Sequence, residues 1–464
     1  MNDAQDNAVN PSTRDAPPSD ADTTLDRLAE LSALAVAEAR RLGASQAEAS
    51  ANDERGLSVN VRMGEVESVE RTRDRSLAIT VYFGQRKAHA STADLKPESL
   101  RRTVEMACAI AKHTEADAAN GLADEARMAR ESRDFEQWHP WAIEADAAVA
   151  LALEAEAAGR GFDARISNSE GASVSTNEGL SVYANSHGFV GREKSTSHSI
   201  SASLIAGSGD AMQGQYWYTA ALRHEALEAA AEVGRKAAIR TLERLAPRAV
   251  ATGEFPVLFA PEVARSLIAH LVGAVSGGAL YRKASFLVGA QGQKLFPDWF
   301  CIVERPHLKG GWRSGDFDAD GVATRESALI EDGVLQRYVL GTYSARRLGL
   351  ESTGNAGGVH NLEVAANAEG LASMLKGMRR GLLVTELMGQ GVNTVTGDYS
   401  RGAAGFWVED GAIAYPVDEL TIAGNLREMF LAIEAVGADI DPRSATAVGS
   451  LLVGRMMVAG GALP

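Results

Sequence analysis

The 464-residue sequence contains only two cysteines, Cys108 and Cys301, which are too few for a disulfide framework or a multi-thiolate metal site. Free thiols suit a reducing compartment, so the cytoplasm is the expected location. No uninterrupted apolar run reaches about 20 residues, and a membrane-spanning helix is therefore not predicted. The N-terminus lacks the basic and apolar regions of a secretory signal.

Basic residues are also fewer than acidic residues. The chain has 46 Lys and Arg against 61 Asp and Glu, which gives a formal net charge of −15. Nucleic acid and anionic membranes carry negative charge themselves, so neither is expected as a partner. The sequence also has no Gly-rich phosphate loop ending in Lys-Ser or Lys-Thr, and nucleotide binding has no support.

The patterns along the chain predict an α+β fold. Residues 1–24 are rich in Asp, Asn, Ser and Pro and are expected to form a disordered leader. Residues 25–250 indicate a helix, an antiparallel meander of Gly-punctuated strands and a second helix; this order recurs, which suggests an internal duplication. Residues 251–464 are Gly-rich and strand-like, which predicts a mainly β domain with a few helices.

The segment RHEALEAAAE places His224 beside Glu225, as in the helix of many zinc peptidases. A zinc site of that kind needs a second His four positions on, or five positions on in a locally distorted helix. Those positions hold Glu228 and Ala229, which cannot supply the second imidazole. We therefore interpret residues 223–245 as an amphipathic helix with His224 on its surface.

Two other patterns allow a chemical interpretation. In YRKASF, Lys283 and Ser285 would share one face of a strand, as a Ser-Lys nucleophilic pair requires, but no oxyanion hole is recognisable. In GDFDADG, the acids recur as in a calcium loop, yet the last ligand position holds Ser327, with Glu326 beside it. A solvated turn is the preferred interpretation of this second pattern, whose oxygen ligands would be Asp316, Asp318 and Asp320.

Several phrases of the sequence resemble one known family. GALYRKASFLVGAQGQKLFP, VLGTYSARRLGLESTGNAGG, GVNTVTGDYSRGAAGFWVEDG and DELTIAGNLREMF together resemble the TldD/TldE family, formerly described as modulators of DNA gyrase. Within that family they are most similar to the TldE branch, also called PmbA. MGEVESVERTRDRSLAITVYFGQRKAHAST resembles the family's N-terminal domain. The likeness runs from about residue 25 to the C-terminus.

The resemblance implies a peptidase of two related subunits, in which the TldD partner holds zinc through a His-Glu-x-x-x-His helix and a later Cys. In this sequence the matching positions of the helix hold Val272, Gly273 and Gly277, and the Cys position corresponds to Val448. None of these residues can ligate zinc. His270 lies two residues before the first position, but it lacks a following Glu and a second His. No metal is expected on this chain, and zinc is expected on the partner.

One segment of the second half, NTVTGDYSRGAAGFWVEDG, is predicted to line a peptide-binding cleft. Its glycines allow close backbone approach, and its polar side chains offer an acid, a hydroxyl and a guanidinium. A structural hairpin whose polar side chains pair with one another is the alternative. Arg282 and Lys283 fit a substrate carboxylate or a partner subunit. The peptide-binding candidates are therefore Arg282, Lys283, Asp398, Tyr399 and Arg401.

The resulting hypothesis is a cytoplasmic TldE/PmbA-type subunit with no catalytic residue of its own. It would pair with a TldD-type zinc subunit and hold unfolded peptides for processing or degradation. By resemblance, such complexes mature peptide antibiotics and degrade an antitoxin. The alternatives are a homodimeric, non-enzymatic regulator that binds other proteins, and a peptidase with an unrecognised site.

Overall fold

A computed structural model describes residues 20–460, so residues 1–19 of the expected leader lie outside the described residues. The first helix, α1, runs from Asp20 to Arg41 and includes the end of the stretch that was expected to be disordered. Two acids in its first turn, Asp20 and Asp22, stabilise a helix start at this point through the helix dipole. Gly43, at φ 93°, follows the last turn and lets the chain leave the helix in a left-handed conformation.

The first half of the chain repeats one order of elements, as the sequence predicted: a helix, a meander and a second helix. Each meander has three strands. The first round consists of α1, β1 (Gln46–Arg62), β2 (Glu65–Phe83), β3 (Arg86–Thr92) and α2 (Pro97–Ala111). The second round consists of α3 (Ala145–Arg160), β4 (Ile166–Asn185), β5 (Val190–Ala206), β6 (Gln213–Ala221) and α4 (Ala230–Glu243).

The six strands form one antiparallel sheet in the order β3-β2-β1-β4-β5-β6, so the two rounds meet at its centre through β1 and β4. Alternate side chains point to one face of the sheet, where α1 and α2 share one core with the strands and α3 and α4 share another. The other alternate positions form a second face, called the open face below, which these four helices leave uncovered.

The second half of the described chain contains shorter elements. Its strands are β7 (Gly253–Phe259), β8 (Ile302–Glu304), β9 (Ser327–Glu331), β10 (Val334–Leu335), β11 (Leu362–Val364), β12 (Arg380–Met388), β13 (Asp398–Glu409), β14 (Ala412–Asn425), β15 (Ile433–Val436), β16 (Thr446–Ala447) and β17 (Leu451–Ala459). Its helices are α5 (Pro261–Ala274), α6 (Gly277–Tyr281), α7 (Thr342–Leu348), α8 (Leu371–Gly377) and α9 (Leu426–Leu431).

The larger sheet of this half closes on itself. Its order is β14-β13-β12-β7-β17-β15, and β14 also pairs with β17. A five-stranded sheet, β10-β9-β8-β11-β16, lies beside it. Helix α5 contributes Leu267 and Leu271 to the main core, which also contains the fully buried Phe259, Phe296 and Trp407. This large core fixes α5 against β13, where the candidate site lies.

Side chains from the second half hold the two halves together. The guanidinium of Arg346 donates to three carbonyl oxygens within residues 119–122, at 2.6 to 3.3 Å. The Tyr343 hydroxyl donates to the Asp117 carboxylate at 2.7 Å. Within residues 20–460, none of the helices has both the length and the apolar character needed to cross a bilayer.

Helices α3 and α4 approach each other through two glycines. A Cβ added at Gly234 would lie 1.9 Å from the carbonyl oxygen of Ala155, and one added at Gly159 would lie 2.9 Å from the carbonyl oxygen of Gly234. These distances are too short for any side chain. The close approach explains why two glycines are retained in helices, where glycine normally lowers stability.

We predict that Gly234→Ala lowers the free energy of unfolding by about 1–3 kcal/mol, because the added methyl overpacks the α3–α4 contact. Gly273→Ala is the matched control: Gly273 is also helical, and nothing lies within 4 Å of an added Cβ. That control should be neutral or stabilising by up to about 1 kcal/mol. Urea denaturation checks both variants, and equal effects would contradict the proposed close packing.

Candidate functional site

The peptide-binding candidates lie in two chain segments that adjoin. Arg282 and Lys283 follow α6, and the other three candidates lie at the start of β13. The backbone N–H of Phe286 donates to the carbonyl oxygen of Thr394 at 2.9 Å, which joins the two segments. The joined segments, residues 281–288 and 388–401, are called the α6–β13 surface below.

Tyr399 and Arg401 share one face of β13 because they are two residues apart. Tyr399 is only 1% exposed, and its ring meets that of His270 on α5 edge-on, with 5.9 Å between the ring centroids. Burial lowers the pKa of His270, and the charge of Arg401 lowers it further. Burial raises the pKa of Tyr399 to about 12. At neutral pH the pair is therefore a neutral imidazole and a neutral phenol.

The polar atoms of this pair are unsatisfied. Within the described part of the chain, His270 Nε2 and the Tyr399 hydroxyl are buried without a hydrogen-bond partner. A buried unsatisfied group costs about 1–3 kcal/mol. The fold thus retains two polar atoms at a cost to stability. The sequence singled out Tyr399 but considered His270 only as a metal ligand, because the contact between these two rings is a long-range feature.

The remaining candidates, Arg282, Lys283 and Asp398, are exposed, and Arg282 and Asp398 have local partners. Arg282 stacks on Tyr281, with its guanidinium carbon 5.2 Å from the ring centroid, and Lys283 occupies a turn at φ 56°. The carboxylate of Asp398 accepts hydrogen bonds from Thr396 and Asn425, which lower its pKa. Asp398 therefore stabilises the turn before β13, as the hairpin alternative supposed. Peptide binding by these residues stays a prediction.

The sequence pattern placed Lys283 and Ser285 on one face of a strand, and the structure does not. Lys283 and Ser285 lie in the turn after α6 and not in a strand. The buried Ser285 hydroxyl donates to the Ala274 carbonyl oxygen at 2.6 Å and accepts from the Leu287 N–H at 3.0 Å. Its hydrogen bonds hold the turn against the end of α5, so the hydroxyl is not available as a nucleophile.

The positions aligned with the zinc motif supply no metal donor. Helix α5 ends at Ala274, so Gly273 and Gly277 lie in different helices. A Cβ at Gly277 would lie 2.2 Å from the hydroxyl oxygen of Ser344, and Val448 is buried in the main core. Among residues 20–460, no group of three His, Cys, Asp or Glu side chains is placed to hold a metal ion. The residues present do not fit zinc.

The acidic loop is tied to the protein and is not a solvated turn. Asp316 accepts from the backbone N–H of Arg133 at 2.6 Å. Asp318 accepts from three backbone N–H groups, those of Asp320, Val322 and Ala356, at 2.8 to 3.0 Å. Burial, and then the charge of Asp320, raises the pKa of Asp318 to about 6. The expectation of a solvated turn was wrong because backbone donors surround these carboxylates.

His224 is likewise placed differently from the prediction. It lies in a short 3₁₀ turn, His224–Ala226, and α4 begins only at Ala230. Its ring stacks on Trp141, with 5.0 Å between the ring centroids, and His198 packs edge-on against both rings. This aromatic packing fixes the turn, which the helical periodicity of the segment did not reveal.

A cleft of about 520 Å³ separates the open face of the first sheet from loops of the second half. The sheet contributes mainly short polar side chains from β1, β4 and β5, together with Glu54 and Glu193. The opposite wall is formed by residues 312–315, 317–319 and 356–360, which include Arg313 and His360. The cleft is therefore polar and lies where both halves can contact the same ligand.

Comparison with known proteins decides the family. Models of the PmbA/TldA metallopeptidase match domain 1 at residues 47–111, the central domain at 138–245 and the C-terminal domain at 252–460. The metalloprotease PmbA of Escherichia coli O157:H7 is 47% identical over 414 residues, which cover 89% of this chain and 92% of that protein. The chain belongs to the PmbA/TldD metallopeptidase family. A PmbA homolog of Haemophilus influenzae is 46% identical over 428 residues, covering 92% of this chain and 95% of that protein.

Solved structures agree with the PmbA/TldD assignment. A proposed modulator of DNA gyrase from Bacteroides thetaiotaomicron is 27% identical, with a TM-score of 0.89 over 94% of this chain and 99% of that one. TldE from Thermococcus kodakarensis shares the fold at 20% identity, with a TM-score of 0.80 over 92% of this chain and 99% of that one. The family models assign the two rounds of the first half to separate domains, whereas the sequence prediction treated residues 25–250 as one.

We predict that Tyr399→Phe raises the free energy of unfolding by about 1 kcal/mol, because it removes a buried hydroxyl that has no partner. Thermal and urea denaturation of the purified protein check this value. Tyr338→Phe is the control, because the Tyr338 hydroxyl donates to the Leu287 carbonyl oxygen and its loss should lower stability. A clear loss of stability in Tyr399→Phe would show that its hydroxyl is hydrogen-bonded.

The raised pKa of Asp318 makes stability depend on pH. A carboxyl whose pKa is higher in the folded state contributes stability that is complete below about pH 4 and is lost as pH rises through about 6. One pKa unit corresponds to about 1.4 kcal/mol, so the loss amounts to roughly 3 kcal/mol. Asp318→Asn cannot ionise, and its stability relative to the natural protein should rise by that amount between pH 4 and pH 7.

Urea denaturation at several pH values measures this difference. Asp332→Asn, in an exposed turn, serves as the control. Its free energy of unfolding, plotted against pH, should run parallel to that of the natural protein. A parallel curve for Asp318→Asn would show that Asp318 ionises at its ordinary pKa.

Proposed function

We propose that this chain is the substrate-holding, non-catalytic subunit of a two-subunit metallopeptidase, and that a TldD-type partner carries the zinc. The observation that carries the proposal is the loss of metal donors at Val272, Gly273, Gly277 and Val448. The break between α5 and α6 supports it, because a continuous metal-binding helix cannot run through Gly277. A single neutral imidazole, His270, remains in that region.

The α6–β13 surface supports a role in binding. Arg282, Lys283 and Arg401 bring positive charge to this surface of an otherwise acidic protein. Val288 and Val395 are exposed beside them, at 49% and 54%. A surface that combines cations with exposed apolar side chains suits either the C-terminal carboxylate of a peptide or the partner subunit.

An unfolded substrate is also consistent with the first sheet. Strand β3 pairs only with Leu77–Phe83 of β2, so among the described strands Glu65–Ser76 has a neighbour on one side only. An extended peptide can add to such an edge through its main chain, with little sequence preference. The cytoplasm remains the proposed location, and the free thiols of Cys108 and Cys301 suit it.

The decisive experiment measures hydrolysis of an unfolded peptide by this chain alone, by a TldD-type partner alone and by the co-purified pair, with zinc quantified in each. We expect activity only in the pair and zinc only with the partner. Chelator-sensitive cleavage and bound zinc in this chain alone would overturn the proposal in favour of an unrecognised site. Stable homodimers that do not bind the partner would favour a non-enzymatic regulator.

We predict that Arg282→Ala/Lys283→Ala lowers hydrolysis by the pair about fivefold, because two exposed charges each contribute roughly 0.5 kcal/mol to binding. A rise in KM with normal co-purification would assign these residues to substrate, and loss of co-purification would assign them to the partner. Arg101→Ala/Arg102→Ala, exposed on α2, removes the same charge and should leave hydrolysis unchanged. An unaltered rate in the first variant would exclude Arg282 and Lys283 from both roles.

A further inference from the structure

Residues 70–75 of β2 separate their charged side chains by sign. In β2, Arg71, Arg73 and Arg75 point to the helix-covered face, whereas Glu70 and Asp74 point to the open face. The arginines all have partners: Arg71 pairs with Glu144, and Arg73 and Arg75 both donate to Asp53 of β1. The acids between them are left on the opposite side of the sheet.

Strand β5 shows the same arrangement. Arg192 and Lys194 pair with Asp26 and Asp22 of α1, at 2.6 and 2.9 Å. Glu193 lies between them and points to the open face, where it reaches the cleft. Two separate strands thus direct their cations to acids near the helices and leave an acid uncompensated on the open face.

Two of the uncompensated acids face each other across neighbouring strands. Glu54 of β1 is directly opposite Asp74 of β2, an arrangement of like charges that lowers sheet stability. Within the described part of the chain, none of Glu54, Glu70, Asp74 and Glu193 forms an ion pair. Burial raises the pKa of Glu193, and a hydrogen bond from Ser181 and the charge of His360 offset this effect only in part.

Small hydroxyl side chains fill the space between these acids. In the register of β2, β1, β4 and β5, one row across the open face reads Ser68, Asn60, Ser173, Ser201, and the next reads Glu70, Ser58, Ser175, Ser199. The hydroxyls of Ser173 and Ser201 lie 2.8 Å apart. Over residues 52–60, 68–76, 173–181 and 193–203, the open face carries four acids and no Lys or Arg.

Such a face has two properties that matter for a ligand. Short side chains let another backbone approach closely, and hydroxyls both donate and accept hydrogen bonds, as peptide groups do. The spacing also fits an extended chain: from Asp74 to Glu193 the face spans about 16 Å, which is about five residues of extended peptide.

We propose that the open face, together with the cleft it borders, binds an extended cationic peptide. Lys or Arg side chains of the peptide would pair with Glu54, Asp74 and Glu193, and its backbone would bond to the surrounding hydroxyls. The inference deepens the proposed function and rests on it, because it names Lys- and Arg-containing unfolded segments as the preferred substrates of the subunit.

The test uses the full chain alone and a fluorescein-labelled decapeptide of five Lys-Ser repeats, followed by fluorescence anisotropy. The variant Glu54→Gln/Asp74→Asn/Glu193→Gln should weaken binding ~10-fold, because it removes the three carboxylates that would pair with the cations of the peptide. Its thermal stability should not fall, since the change removes a like-charge contact. A decapeptide of Glu-Ser repeats should not bind the natural protein.

The matched control is Glu98→Gln/Glu105→Gln/Glu115→Gln, which changes the net charge equally at exposed positions of α2 and the turn after it. It should alter affinity by less than about twofold. Three results would each overturn the inference. Both triple variants could lose affinity equally, the first variant could bind as the natural protein does, or the natural protein could fail to bind the Lys-Ser peptide. None of these results depends on a partner or on hydrolysis, so a failure here is distinct from a failure of the two-subunit proposal.

Discussion

The pairing of β1 with β4 is the contact on which the first half of the molecule depends. It runs antiparallel from Glu48 opposite Asn185 to Val61 opposite Ala172. Each round of the repeat has its own three strands and two helices, and only this seam makes one continuous sheet from them. The seam also creates the open face, because its rows of hydroxyls cross from one round to the other. Because the seam joins the two rounds, both rounds contribute to one wall of the cleft.

The regular elements were largely predictable from the sequence. The predicted order of a helix, a meander of Gly-punctuated strands and a second helix is present in both rounds of the first half. These signals are local. The errors fell where a segment's partners are distant in sequence: His224 packs on Trp141, and Asp318 accepts from the N–H of Ala356. Composition and periodicity do not report such contacts.

In the candidate site, too, residue types were predictable from the sequence and long-range contacts were not. Tyr399 and Arg401 were singled out by residue type, but the ring contact of Tyr399 with His270 and the effect of the Arg401 charge on His270 required the structure. The structure adds that the imidazole and phenol are neutral and lack partners. The chain belongs to a family of metallopeptidases, yet the positions aligned with the zinc ligands hold no metal donor. Two buried polar atoms, His270 Nε2 and the Tyr399 hydroxyl, nevertheless lie in the same region. The proposed binding role accounts for both observations.

The arrangement of β7 has a consequence for the time course of folding. This strand comes first in the second half, yet it lies inside the closed sheet, between β12 and β17. Its residue Val257 pairs with Leu382 on one side and with Val453 on the other. Both neighbours are more than a hundred residues away, so long loops must close before the strand is paired. Such non-local pairing slows folding, and β7 would expose two unpaired edges until it is complete.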